Sequence, residues 1–346
     1  MHRPIFTYAC GELRKLSTSL EYRVSLFIEE RRELMISTTH TSLGRTWLQN
    51  HSLFAYFLLA FGISWLIELP VTFSQSGVGL FHYHLPSLLV NLSPGVPLGP
   101  IGAAFILTAL LEGKPGVIRL LKCYIQWRVS LKWYLLILLG CPLLLTLVVS
   151  FFSTPHLQNL PTFLWSYLMH LLLALMINWE EGGWRGFALP RLQKQAGPLL
   201  GTTILGILWG TWHLPLLFIP AQDPMGSAIT FSLLLFCLFL FQTTAKSVCY
   251  TWLWNNTAGS LLIVTLFHAA AAINGHDLEH LFGKVNAIVP TLASAIGFGG
   301  VALLIIVLTR GTLSYKLKKG IFSSSRMEPP RVPDTDEEQE RRSVIS

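Results

Sequence analysis

Long uncharged apolar segments recur along most of the chain, and they constrain its fold more than any other feature. A helix needs about 20 mostly apolar residues to cross the hydrocarbon core of a membrane. Candidate segments lie at roughly 52–73, 87–112, 132–153, 163–189, 199–219, 228–246, 257–274 and 287–309. Only 12% of the residues are charged, against about 25% in soluble domains. The sequence therefore predicts an all-α polytopic integral membrane protein with about eight transmembrane helices.

The distribution of lysine and arginine between these segments predicts their orientation. With a cytosolic N-terminus, the inner loops would be 113–131, 190–198 and 247–256, followed by the tail after residue 309. Basic residues cluster there: Lys114, Arg119, Lys122, Arg128, Arg191, Lys194, Lys246 at the border of the third loop, Arg310, Lys316, Lys318 and Lys319. The outer loops, 74–86, 154–162, 220–227 and 275–286, contain a single lysine, Lys284. Because cytosolic loops carry the excess of basic residues, both termini are predicted to be cytosolic.

The chain divides into three predicted regions. Residues 1–50 form a polar, basic segment without the apolar core of a cleaved signal peptide, and Met35 is an alternative start. Residues 51–310 hold the transmembrane helices, and the charged tail 311–346 is expected to be disordered. The net charge of +7 is spread between apolar segments, so we expect membrane lipid and no nucleic acid as a partner. The five cysteines show no paired metal spacing.

Ionisable residues nevertheless occur inside three of the predicted spans, where they are rare and costly. The stretch "NWEEGGWRGFALP" places Glu180, Glu181 and Arg185 near the end of the fourth span. His213 lies in the fifth span and His268 in the seventh. Counted at 1.5 Å per residue from the predicted cytosolic face, Glu180, His213 and His268 reach roughly similar depths of 15 to 20 Å. We therefore expect that these three side chains can meet at one level of the membrane.

The spacing within this stretch suggests different roles for the two glutamates. Glu181 and Arg185 are four residues apart, with the acid first, which favours an ion pair on one helix face. Glu180 points about 100° away on a helix and is free to hold a proton or activate a water, with a histidine as acid–base partner. A plainer interpretation is a solvated ion pair at a helix end and histidines that contact neighbouring helices, as we expect for His170.

Three short motifs together resemble the CPBP family of CAAX proteases and bacteriocin-processing enzymes, also called abortive-infection proteins. "EEGGWRG" matches the first family motif of two glutamates, three residues, arginine and glycine. Trp209 to His213 matches the second, with tryptophan in place of the usual phenylalanine. The third motif is histidine, three residues, then asparagine or aspartate; His268 matches, but Ala272 stands at the fourth position and Asn274 is the nearest amide. The resemblance extends over about residues 55–310.

This resemblance implies an intramembrane glutamic-type endopeptidase that acts on a peptide or membrane protein, possibly lipidated, without a cofactor. By the same resemblance, Glu180 would activate water with the help of His213, and His268 would stabilise the oxyanion. Glu181 and Arg185 would organise the site. Ala272 leaves the oxyanion hole one donor short, unless Asn274 or a backbone group replaces it. The resemblance also implies the plasma membrane of a prokaryote.

Two other functions remain open from the sequence. Glu180, His213 and His268 could form a two-histidine, one-carboxylate zinc site, although the chain contains no HExxH motif. Alternatively, the chain is a non-catalytic immunity or regulatory protein of the same family, in which the polar cluster only holds helices together. Activity in the presence of a chelator would separate the first alternative from glutamic catalysis.

Overall fold

The computed structural model describes residues 46–219, 233–273, 275–286 and 288–316. Every regular element within these ranges is helical, which confirms the predicted all-α class. The helices are α1 (Ser52–Phe73), α2 (Ser87–Leu92), α3 (Gly95–Tyr124), α4 (Leu131–Val149), α5 (Leu160–Ile177), α6 (Glu181–Gly183), α7 (Leu189–Ala196), α8 (Pro198–Trp212), α9 (Leu233–Asn256), α10 (Leu261–Ala271), α11 (Gly275–Phe282) and α12 (Ile288–Thr309). The basic segment before residue 46 and the predicted disorder of the tail lie outside the described residues, apart from the first few positions of the tail.

The described helices confirm a polytopic membrane protein. Seven of them are long and apolar enough to span a membrane: α1, α3, α4, α5 with its preceding 3₁₀ turn, α8 with its following 3₁₀ turn, α9 and α12. Helices α10 and α11 are bent by 54° relative to each other and supply an eighth span if they count as one. Large apolar side chains such as Leu66 and Phe151 are exposed on the outer surface, as expected for side chains that face lipid.

The second span begins later than the sequence predicted. It is α3, Gly95–Tyr124, and not 87–112, while Ser87–Leu92 forms a separate short helix. Pro97 lies in the first turn, where proline is tolerated, and the helix continues past Pro100. The Pro- and Gly-containing stretch therefore starts this span and does not interrupt it. Gly113, at a positive φ of 66°, kinks α3. Much of the predicted inner loop 113–131 is therefore helical.

The predicted fourth span, 163–189, is divided in the structure. Helix α5 ends at Ile177, and the glutamate motif lies in a separate element that begins at Glu181. A π-helical turn, Trp184–Ala188, joins α6 to α7, and such turns are frequent at functional sites. Hydropathy did not reveal the break because α5 is apolar up to Ile177, with Met176 and Ile177 exposed, and buried apolar residues such as Trp184 and Phe187 follow the glutamates.

Glu68 is a second buried carboxylate, which the sequence analysis did not single out. Its Oε1 accepts a hydrogen bond from the backbone N–H of Gly95 at 2.9 Å, where α3 begins. The Ser64 hydroxyl donates to the Gly95 carbonyl at 2.7 Å. Because a helix N-terminus carries partial positive charge, Glu68 stabilises the start of α3 and holds α1 against it.

Two glycines allow a test of how tightly the glutamate motif packs. A Cβ atom at Gly183 would overlap the carbonyl oxygen of Pro100 and press on the hydroxyl of Tyr56. We expect Gly183→Ala to lower the free energy of unfolding by about 1–3 kcal/mol, as overpacking does, measured by thermal unfolding in detergent. Gly102→Ala is the matched control, because a Cβ there would meet nothing within 4 Å. Equal stability of the two variants would contradict this close packing.

Candidate active site

The predicted ion pair between Glu181 and Arg185 is present and fully buried. Arg185 Nη1 donates to Glu181 Oε1 at 3.0 Å and to Oε2 at 2.8 Å. Both side chains are 0% exposed. The i,i+4 spacing brings the two groups together although a π-helical turn begins between them. Charge-assisted bonds of this kind are stronger than neutral ones, so the pair fixes the carboxylate of Glu181.

Helices α8 and α9 complete the surroundings of Arg185. Its Nη2 donates to the Ser247 hydroxyl at 3.1 Å. Its guanidinium carbon lies 3.8 Å from the ring centroid of Tyr250 and 4.7 Å from that of Trp209. Cation–π contacts stabilise a desolvated guanidinium. The sequence analysis assigned no role to Ser247 or Tyr250, because neither is close to Arg185 along the chain.

Glu180 is held by residues of two other helices. Trp209 Nε1 donates to Glu180 Oε1 at 3.1 Å, and His268 Nδ1 lies 3.6 Å from the same oxygen. The other oxygen, Oε2, is buried and has no hydrogen-bond partner among the described residues. Buried polar atoms are usually paired. Oε2 is thus the atom of the cluster that can accept a proton or a hydrogen bond from a water molecule.

His268 links the two glutamates. Its Nδ1 lies 2.8 Å from Glu181 Oε1, and since a carboxylate only accepts, Nδ1 donates. Two carboxylates and one guanidinium leave a formal charge of −1 in a buried setting, where an uncompensated charge is costly. One additional proton, on His268 or on Glu180, neutralises the cluster. The geometry thus allows these two side chains to share a proton.

His213 lies beside this cluster and not within it. Its Nδ1 is 2.7 Å from the carbonyl oxygen of Trp209. Because a carbonyl oxygen only accepts, Nδ1 carries the hydrogen and Nε2 of the neutral ring is an acceptor. Glu180 and His268 are thus in contact, whereas His213 bonds to the backbone of Trp209, whose indole bonds to Glu180. A common level of the three side chains in the membrane stays a prediction.

A cavity of about 240 Å³ adjoins the cluster. It is lined by Trp209, His213, Phe239, Gln242, Thr243, Lys246, His268, Ala272, Ile273, Gly275, Pro290, Thr291 and Ser294. Glu180 lies next to this wall, since both Trp209 and His268 contact it. The third-motif position, Ala272, faces the same space as His268. Asn274, its suggested replacement, lies outside the described residues.

Lys246 lines the cavity, although it was predicted to lie at the end of a span. It was counted at the border of an inner loop, 247–256, but α9 continues to Asn256. Lys246 therefore lies ten residues, or about 15 Å, inside the helix. The hydropathy pattern predicted too early an end for this helix, because "KSVCYTWLWNN" is polar and aromatic although it is helical.

The cluster also contains a possible set of metal ligands. Ligand atoms of Glu180, Glu181 and His268 lie within 4.8 Å of one another. This set differs from the predicted Glu180, His213 and His268, because Glu181 stands in place of His213. Both oxygens of Glu181 already accept from Arg185, so a metal ion there would share this carboxylate with a guanidinium. The zinc alternative stays a prediction.

Outside the cluster, His170 makes the interhelical contact that was expected of it. Its Nδ1 lies 3.1 Å from Asp277 Oδ2, and Ser166 donates to Asp277 Oδ1 at 2.8 Å. These bonds join α5 to α11.

Comparison with known proteins points to one family. Residues 161–273 match the family model described as type II CAAX prenyl endopeptidase Rce1-like. A segment of 106 residues is 27% identical to a protein named CAAX prenyl protease 2 from Methanococcus maripaludis. That match covers 30% of this chain and 38% of the relative, so well under two thirds of the relative's length is matched. The segment that supplies all five site residues is thus similar to type II CAAX prenyl endopeptidases, and the resemblance to the CPBP family is confirmed over residues 161–273.

Proposed function

We propose that the protein is an intramembrane endopeptidase that hydrolyses a peptide bond with a water activated by Glu180. The observation that carries this proposal is the unpartnered Oε2 of a buried glutamate, beside a cavity lined by two histidines. Among the described residues, Glu68 also has one unpaired buried oxygen, but its other oxygen is bonded to the start of α3. Glu180 differs because Trp209 and His268, which contact it, line the cavity. The similarity to CAAX prenyl endopeptidases supports the same reaction class.

In the proposed reaction the shared proton starts on His268. Glu180 is then ionised and removes one proton from the attacking water, while Nε2 of His213 accepts a hydrogen bond from the other O–H of that water and orients it. The protonated His268 donates from Nε2 to the carbonyl oxygen of the substrate, which becomes the oxyanion. Preorganised donors of this kind supply a large share of the rate enhancement in acyl transfer. Glu180 finally transfers its proton to the leaving amine.

The roles of Glu181 and Arg185 in this reaction are to position other groups. Arg185 pairs with the carboxylate of Glu181, and Glu181 accepts a hydrogen bond from His268 Nδ1. This bond directs Nε2 of His268 away from the glutamate. The arrangement parallels the orienting carboxylate of a catalytic triad, which holds a histidine in its working tautomer.

The proposed substrate is a peptide or membrane protein, with or without a lipid anchor, and the proposed location is the plasma membrane of a prokaryote. The relative named CAAX prenyl protease 2 and its archaeal source support both proposals. The site lies between helices that face lipid, so a substrate with a membrane anchor would reach it along the bilayer.

A zinc peptidase is the second candidate, favoured by the close approach of the ligand atoms of Glu180, Glu181 and His268. One experiment separates the candidates. Purified full-length protein in lipid vesicles is incubated with a prenylated CAAX peptide, with and without a zinc chelator. Cleavage unaffected by the chelator is the expected result. Loss of cleavage with the chelator, restored by zinc, would establish the metal mechanism, and no cleavage would favour a non-catalytic relative.

Ala272 offers a test by gain of activity. It faces the cavity one helical turn after His268, where an amide could donate to the oxyanion. Removal of one such donor in other enzymes lowers kcat about 10²- to 10³-fold. We therefore expect Ala272→Asn to raise kcat at least about tenfold, measured with the same peptide.

Ala272→Leu is the control for this variant, because leucine has the shape of asparagine without its donor. An increase in kcat for both variants, or for neither, would contradict the missing-donor interpretation.

A further inference from the structure

Lys246 is a partly buried cation that the proposed reaction does not use. It lines the cavity next to His213 and His268. It lies ten residues, or about 15 Å, before the end of α9, a helix long and apolar enough to span a membrane. A cation at such a depth is costly and typically marks a site of function.

No carboxylate of the described residues neutralises this cation. Glu181 forms ion pairs with Arg185 and His268, and Glu180 lies within ion-pair distance of His268. Neither of these described glutamates pairs with Lys246. Among the described residues, Lys246 contacts the ring of Phe298, with Nζ 5.2 Å from the ring centroid. A ring compensates a desolvated ammonium only in part. The cavity wall therefore presents a positive charge to whatever enters it.

A second polar group of the same wall is also available to a ligand. The hydroxyl of Ser294, on α12, lines the cavity and is buried. Among the described residues it has no hydrogen-bond partner. An ammonium and an unpaired hydroxyl on facing helices are donors suited to an anion with more than one acceptor oxygen.

We propose that Lys246, with Ser294, binds the free α-carboxylate at the C-terminal end of the peptide substrate. This proposal rests on the proposed peptidase function and names the feature of the substrate that the site selects. The cavity of about 240 Å³ is smaller than the roughly 300–1,000 Å³ of pockets for drug-sized ligands. It accommodates a short chain end and not an internal segment that must continue past Lys246. The scissile bond then lies a few residues before the C-terminus, beside His213 and His268.

The test compares two peptides that differ only at the C-terminus, a prenylated CAAX peptide with a free carboxylate and its C-terminal amide. Binding of each to full-length Glu180→Gln protein in vesicles is measured, so the result does not depend on cleavage. A charge-assisted hydrogen bond corresponds to about a tenfold to hundredfold difference in affinity. We expect the acid to bind more tightly than the amide by this factor.

Lys246→Met, introduced into the same Glu180→Gln protein, removes the charge and keeps the length of the side chain. It should reduce the ratio of acid to amide affinity to within about twofold and leave affinity for the amide unchanged, whereas Lys246→Arg should retain most of the preference. An equal ratio before and after Lys246→Met, or no binding of either peptide, would overturn the proposal. Absence of cleavage by the wild type, with the acid preference intact, would refute the peptidase function and leave carboxylate binding supported.

Discussion

Glu180→Gln should reduce peptide cleavage by about 10²- to 10⁴-fold, the contribution expected of a general base, without unfolding the protein. Glutamine keeps the shape of the side chain, and its oxygen can still accept from Trp209 Nε1, as Glu180 Oε1 does at 3.1 Å. The amide cannot take a proton from water. The measurement is the rate of cleavage of the prenylated CAAX peptide in vesicles, at equal protein levels.

Glu68→Gln is the matched control for this variant. Glu68 is also a buried carboxylate in the membrane region, with one paired and one unpaired oxygen, but it is bonded to the start of α3 and not to either histidine. We expect its glutamine variant to cleave at the wild-type rate. Equal loss of activity in both variants would show that Glu180 matters only as a buried polar group.

Arg185→Met should produce the largest loss of stability, about 3–5 kcal/mol, the range for breaking a buried ion pair by removal of one partner. The variant leaves the carboxylates of Glu180 and Glu181 buried with only His268 to compensate them. It also removes the contacts to Ser247 and Tyr250. Thermal unfolding in detergent should show a midpoint lowered on the order of 10 °C.

Two further variants distinguish the ion pair from simple loss of packing. Arg191→Met removes an arginine that is 23% exposed and is bonded to Glu112 and the Phe187 carbonyl; partly exposed pairs contribute about 0–1 kcal/mol. The double variant Arg185→Met with Glu181→Gln should recover much of the lost stability, because no charge is left unpaired. A midpoint for Arg185→Met equal to that of Arg191→Met would contradict the buried ion pair.

Features that depend on local spacing were predictable from the sequence. The Glu181–Arg185 pair follows from the i,i+4 rule, and the apolar segments follow from the thickness of the membrane. The divided fourth span was not predictable, because apolar residues both precede and follow the break, so the hydropathy pattern does not change there. The late start of α3 was predictable in principle from the tolerance of proline in a first helical turn.

Features that depend on long-range packing required the structure. Trp209 and His268 meet Glu180 from helices distant in sequence, and hydropathy does not determine which faces converge. The relation of His213 to the cluster, through the carbonyl of Trp209, has no signature in residue spacing. Lys246 was misplaced because its neighbours are polar and aromatic, so the end of α9 was set ten residues too early.

The most direct test of the central claim is the incorporation of heavy oxygen from labelled water during cleavage of the prenylated CAAX peptide by purified protein in vesicles. Mass spectrometry of the products should show one labelled oxygen in the new carboxylate with wild-type protein. Glu180→Gln should form the labelled product at least about 10²-fold more slowly, and Glu68→Gln should form it at the wild-type rate. Labelled product formed equally by Glu180→Gln would contradict the assignment of Glu180 as the base that activates water.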